Sequence, residues 1–173
     1  MGHIWGHCVI LSFTFLITFS LAPGILSRLT TNETKTSLLS EKYFIIIVFF
    51  LNFSVSDLIG RFLGGYVMLR SHVLSVVLIF ARIILAVCLA MCNIQPRNHD
   101  LIPVAFTSDA ISIVLIFLFG ASHGFITSSV CRQAPGEITN KADKEQIGAV
   151  LSVVMMGGTL LGVLAALCIA QLY

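Results

Sequence analysis

The chain has 173 residues, of which 57% are hydrophobic and only 10% charged, and its mean hydropathy is +1.00. A soluble domain carries roughly a quarter of its residues as charges, so this composition belongs to an integral membrane protein. The net charge of +2 is small and spread among short polar stretches. No basic tail or stripe of the kind that binds nucleic acid is present.

Crossing about 30 Å of hydrocarbon takes about 20 mainly apolar residues. Five segments meet that requirement, at roughly 8–29, 43–69, 73–94, 104–131 and 147–172. The fold class expected is therefore all-α, a polytopic bundle of five transmembrane helices in one membrane domain with no soluble domain. The first segment reads as a span and not as a cleaved signal, because no Lys or Arg precedes it and its apolar run is long. Pro23-Gly24 is expected to kink or end it. Between the spans, 30–42 is polar, 70–72 is a tight turn, 93–103 holds two prolines, and 132–146 holds most of the remaining charge. Asp109 is suited either to cap the fourth helix or to lie in its first turn, where the helix dipole favours a carboxylate.

Orientation is weakly specified. With the amino terminus inside, Arg70, Arg132, Lys141 and Lys144 are cytoplasmic and are balanced by Arg28, Lys35, Lys42 and Arg97 outside. Only Arg61 and Arg82 tip the positive-inside rule toward this arrangement. It leaves the sequon at Asn32 external and available for a glycan. The second sequon, at Asn52, falls inside a span.

The second segment carries two charges, Asp57 and Arg61, in "FLNFSVSDLIGR" (50–61). Each costs about 2.5–3.5 kcal/mol at the centre of a membrane helix, and the apolar residues between Phe44 and Leu69 roughly offset the two. Four residues apart, they share one helix face and can pair, and Phe50, Phe53 and Ser54 are expected on that face too. One reading is a neutralised pair that locks helices together. The other is a polar cavity, since a buried pair is weak glue and ionisable residues in spans mark substrate paths. An arginine fork beside a carboxylate offers donors and acceptors to neighbouring hydroxyls of a polyhydroxylated ligand.

Small residues recur four apart: Ser56, Gly60 and Gly64; Gly120, Gly124 and Ser128; Gly148 and Ser152; Gly158, Gly162 and Ala166. Such stripes let helices pack closely. The cysteines, Cys8, Cys88, Cys92, Cys131 and Cys168, form no CxxC pair and no cluster with histidine, so neither metal nor cofactor is expected. "GASHG" (120–124) raises an intramembrane hydrolase as an enzyme alternative. Ser122 and His123 are adjacent, however, and so about 100° apart on a helix, which prevents them from acting as nucleophile and base on each other. The expectation is that the chain is not an enzyme. His123 inside a span can relay protons or simply hydrogen-bond between helices.

Several stretches, taken together, resemble the carboxy-terminal half of the equilibrative nucleoside transporter family. They are "KYFIIIVFFLNFSVSDLIGR" (42–61), which is similar to that family's eighth helix with its D-x-x-G-R core, and "FARIILAVCLAMCNIQPR" (80–97). "SDA" (108–110), "SHGF" (122–125) and "EQIGAV" (145–150) follow in the family's order and approximate spacing. The resemblance implies helices seven to eleven of an eleven-span, six-plus-five arrangement related to the major facilitator fold, with substrate held between the halves. It further implies that Asp57 and Arg61 contact the ribose hydroxyls of a nucleoside, and that Phe50 and Phe53 lie near the cavity or its gate. Ser54 stands where the family has an asparagine, with Asn52 displaced, and His123 stands where the family has another asparagine. Arg82 matches a family arginine with an expected gating or anchoring role, the alternative being a side chain that snorkels to the interface. His123, Gly124 and Gly148 join it as gating or structural positions. The function implied is facilitated diffusion of nucleosides or nucleobases by alternating access, in the plasma membrane, with an amino-terminal six-helix half as partner. The alternative is a non-transporting membrane fragment or half-subunit that packs with another polypeptide.

Overall fold

In lipid every backbone N–H and C=O must be satisfied within the segment or its immediate partner, so long apolar runs become helices. A computed structural model of the protein describes residues 2–21, 45–67, 72–92, 106, 108–136, 138 and 141–170. These form five helices: α1 (Gly2–Leu21), α2 (Ile45–Tyr66), α3 (His72–Ala90), α4 (Asp109–Gly136) and α5 (Lys141–Ala170). Four are long and apolar enough to cross a membrane, and α3 adds a shorter apolar stretch, Ser75–Ala90. The architecture is an all-α, multi-pass membrane bundle.

The helix limits depart from those expected of hydropathy alone. Helix α1 begins at Gly2, ahead of its hydrophobic stretch, and α5 begins at Lys141, six residues before the expected 147. Helix α4 runs on to Gly136, past the expected end at 131. A helix does not stop where hydrocarbon stops. Nothing before Ile4 or between Arg132 and Ala134 breaks the backbone ladder, and α4 ends only one residue after Pro135, which lacks an amide donor. The expected Pro23-Gly24 kink, residues 70 and 71 of the expected turn, the 93–103 break and the Asn32 sequon lie outside the described residues, whereas His72, also expected in that turn, is the first residue of α3. Asp109 does occupy the first turn of α4, where Ser108 accepts the amides of Ile111 (3.2 Å) and Ser112 (3.3 Å).

Two intimate pairs organise the bundle, α2 with α4 and α1 with α5, while α3 packs across α4 and α1. Small residues make both pairs. A methyl group on Gly60 or Gly124 would strike a main-chain carbonyl of the facing helix, that of Ala121 or Asp57, and one on Gly120 would strike the Ser56 hydroxyl. On α5, a methyl at Gly158 would lie 2.7 Å from the Ser12 carbonyl and one at Gly162 would lie 2.8 Å from that of Leu16. Gly148, expected to be a close-packing position, has open space beside it.

Helix α2 opens with wide π-type turns over Ile45–Leu51 before continuing as α-helix from Asn52. The change of phase decides which side chains of α2 face inward. At the junction, Asn52 donates its Nδ2 to the Ile113 carbonyl at 2.9 Å, tying α2 to α4.

Two apolar clusters fill the interior. One gathers Ile17, Leu21, Phe49, Leu89, Ile116 and Phe119, and the other Cys8, Leu11, Ile126, Val130, Ile147 and Leu151. Between them, in the sequence of α1 and α4, fall the buried polar residues Thr14 and His123, and Thr18, next to Ile17, bonds to both of them. A polar layer thus interrupts the apolar core.

Candidate functional site

Helix α2 carries the charged pair. Arg61 donates its Nε to Asp57 Oδ2 at 2.7 Å across one helical turn. The pair straddles the edge of the bundle: the Arg61 side chain is 46% exposed and that of Asp57 18%. The other carboxylate oxygen, Asp57 Oδ1, is buried and accepts no hydrogen bond. The backbone here cannot shift freely, because the Asp57 carbonyl rests on Gly124. Beside Arg61 an open groove of about 360 Å³ is lined by Leu58, Arg61, Phe62, Gly65 and Tyr66.

The aromatics divide. Phe53 turns inward, its ring 6.1 Å from the His123 ring and 6.4 Å from that of Phe119. Phe50 is 56% exposed, and Ser54 is exposed as well. The single face expected for Phe50, Phe53, Ser54, Asp57 and Arg61 is therefore split, with Phe53 on the α4 side and Phe50, Ser54 and Arg61 on the outer side. The split reflects which flank of Asp57 meets α4: Phe53 lies on the flank that does, and Phe50 and Ser54 lie on the flank that does not.

Arg82 does not snorkel. It is 0% exposed and points from α3 into the polar layer. Its Nη1 donates to the Phe119 carbonyl at 2.9 Å and to Ser122 Oγ at 2.6 Å, and its Nη2 donates to Thr18 Oγ1 at 2.6 Å. The guanidinium carbon also lies 4.5 Å from the centre of the Phe119 ring, a cation–π contact. One side chain thereby joins α1, α3 and α4.

Thr18 is the second hub. Its Oγ1 lies 3.0 Å from His123 Nδ1 and 2.7 Å from the Thr14 carbonyl. The hydroxyl has one proton and two lone pairs. Every bond is satisfied when Thr18 accepts from Arg82 and from a proton on His123 Nδ1 and donates to Thr14. His123 is 4% exposed and meets Phe15 edge-on at 4.9 Å. Ser122 accepts from Arg82 and donates to the Phe119 carbonyl at 2.9 Å, so its hydroxyl is committed away from His123.

Gly124 lies in the α2–α4 seam and Gly148 on the exposed side of α5, where Ser152 donates to its carbonyl at 2.9 Å. Thr18, Ser122 as acceptor, and Phe119 were not singled out from the sequence. The spacing of Thr14 and Thr18 was a signal, but threonines in membrane helices also bond back to their own helix, and both do so here, to Ile10 and to Thr14.

This geometry accompanies a clear kinship. The nucleoside transporter family model matches residues 1–171, and the chain belongs to that family. It is 28% identical over 161 residues to equilibrative nucleoside transporter 1 of Rattus norvegicus, covering 92% of this chain and 35% of that protein. It is 30% identical over 156 residues to equilibrative nucleoside transporter 1 of Homo sapiens, covering 87% and 32%, and 30% identical over 161 residues to equilibrative nucleoside transporter 3 of Rattus norvegicus, covering 91% and 33%. The chain spans about a third of the length of these curated relatives, a coverage that fits the carboxy-terminal half of the family's arrangement.

Proposed function

We propose that this chain is the five-helix half of a nucleoside transporter and that Asp57 and Arg61 present the substrate-binding groups. The observation that carries this reading is the placement of the pair: hydrogen-bonded at 2.7 Å, with Arg61 46% exposed on the outer face of an otherwise apolar helix. A half-exposed guanidinium facing lipid at that depth is expensive, whereas one facing a water-filled cavity is not. The carboxylate and the guanidinium together accept from and donate to adjacent hydroxyls, as a ribose offers. Phe50 and Ser54 lie on the same outer side and would line the cavity, with Phe53 backing it from within.

In this reading a second polypeptide segment, the amino-terminal six-helix half, covers the outer face of α2. Substrate, a nucleoside or nucleobase, passes down its gradient as the halves rock about it in the plasma membrane. No covalent chemistry is involved. Arg82, His123 and Gly124 hold the helices behind the site and Gly148 stands apart from them.

A second reading is that the chain packs with another transporter polypeptide without transporting. The exposed apolar flank of α2, with Phe62 at 62% and Tyr66 at 86%, favours it for the chain on its own. Uptake of radiolabelled uridine or adenosine into vesicles separates the two. The chain alone is expected to transport poorly, and co-expression of an amino-terminal half is expected to restore saturable uptake. Saturable uptake by the chain alone would overturn the need for the partner, and none in either case would favour the second reading.

A further inference from the structure

The wide turns that open α2 lie in a sequence that does not fix their phase. Every residue of Ile45–Leu51 is apolar, so a slip of one position sets an apolar side chain in each core place and in each outward one. From Asn52 onward the phase is fixed. Asn52 holds the Ile113 carbonyl at 2.9 Å, Ser56 is buried against Gly120, and Gly60 rests on the main chain of α4.

Each i→i+5 bond of a π turn encloses one residue more than the i→i+4 bond of an α-helix. Rewinding Ile45–Leu51 as α-helix takes that extra residue out, which rotates the start of α2 by about one residue, about 100°, relative to Asn52. Each inward place then passes to the next residue in the sequence. At the buried place of Phe49 that residue is Phe50, so the core gives up one phenyl ring and receives another. The two rings already lie 4.8 Å apart, and the place is aromatic, since the Phe49 ring stands 6.1 Å from that of Phe53.

We infer that Ile45–Leu51 is a register switch whose π and α states exchange Phe49 and Phe50 between the core and the outer face. In the α state the outward place of Phe50 passes to Leu51, and the side of α2 that carries Arg61 trades an aromatic wall for an aliphatic one. A flat base stacks on the first and not on the second. The exchange stands apart from the proposed transport, and only its bearing on a ligand rests on that reading.

The test uses the full chain in lipid nanodiscs, with para-fluorophenylalanine placed singly at Phe49 or at Phe50 and followed by fluorine NMR. Fluorine on the ring axis is blind to ring flips, and helix register shifts fall on the microsecond to millisecond scale that relaxation dispersion detects. Both sites are expected to exchange at one rate with one minor population of about 1–10%. Deleting Leu51 removes the extra residue between Phe49 and Asn52, which keeps Phe49 inward in an all-α helix and closes the second register. That variant is expected to lose the dispersion at both sites. No dispersion in the unaltered chain, different rates at the two sites, or dispersion that survives the deletion would overturn the switch. If the deletion variant does not fold, the paired measurements on the unaltered chain decide alone. Transport is scored separately. With a co-expressed amino-terminal half, the deletion is expected to slow uridine uptake at least about fivefold, as blocked conformational steps do. Unchanged uptake would overturn the bearing on the ligand.

Discussion

Arg82 of α3 and Thr18 of α1 meet at 2.6 Å in the middle of the bundle, and the same threonine oxygen stands 3.0 Å from His123 of α4. Three helices far apart in sequence are thus fastened at one hydroxyl. Replacing Thr18 by valine keeps the shape and removes the acceptor, leaving an Arg82 donor and His123 unsatisfied in a buried site. A loss of about 1–3 kcal/mol is expected, since that is the cost of a stranded buried polar group. Thermal unfolding of the purified chain measures it, and Thr18→Ser is expected to recover most of the loss. An unchanged melting temperature for the valine variant would show that the hydroxyl fastens nothing.

The glycines of the two stripes are predicted to behave oppositely. At Gly124 an added methyl collides with the Asp57 carbonyl, a main-chain atom that yields only if α2 and α4 separate. Gly124→Ala is therefore expected to destabilise the protein by about 1–3 kcal/mol, in the range of overpacking. Beside Gly148 there is open space, so Gly148→Ala gains helix propensity, up to about 1 kcal/mol. Parallel melting curves of the two variants decide the matter, and equal effects would refute the assignment of the seam.

Arg61→Gln is expected to separate function from stability. Its ion pair lies at the bundle edge, where such pairs contribute about 0.2–1 kcal/mol, so the fold should tolerate the change. Uptake by the chain reconstituted with an amino-terminal half should instead fall at least about tenfold, the equivalent of one charge-assisted hydrogen bond to the substrate. Retained uptake of uridine would remove Arg61 from the substrate site.

Covering of the outer face of α2 is open to chemical labelling. In a cysteine-free background, Leu58→Cys and Tyr66→Cys are expected to react with a maleimide in the chain alone, since these positions are 54% and 86% exposed. Co-expression with an amino-terminal half should protect both. Equal labelling in the two preparations would mean that this face meets no such partner.

Much of this arrangement was legible in the sequence, and the reasons are specific. The pairing of Asp57 with Arg61 follows from a spacing of one helical turn, and close helix packing at Gly60, Gly124, Gly158 and Gly162 follows from four-residue repeats of small residues, although those repeats do not say which helices pair. The inward turn of Phe53 away from Phe50 was not legible, because it depends on which side of Asp57 meets α4 and on the wide turns that precede Asn52. Nor was the burial of Arg82. An arginine near a helix end reads the same whether it reaches outward to the interface or inward to a neighbour, and its partners lie 37, 40 and 64 residues away in the chain. Helix ends were displaced because hydropathy measures the thickness of lipid, while backbone hydrogen bonding continues until something interrupts it.

Glycine is the lower limit of side-chain size, and at Gly60 and Gly124 what faces it is main chain. A change at either position can only be an enlargement, and no second substitution across the contact can make room, because carbonyls are not encoded. At these two points no rotamer stands between the helices to absorb strain, so α2 and α4 are held there as one mechanical piece that carries the charged pair with it.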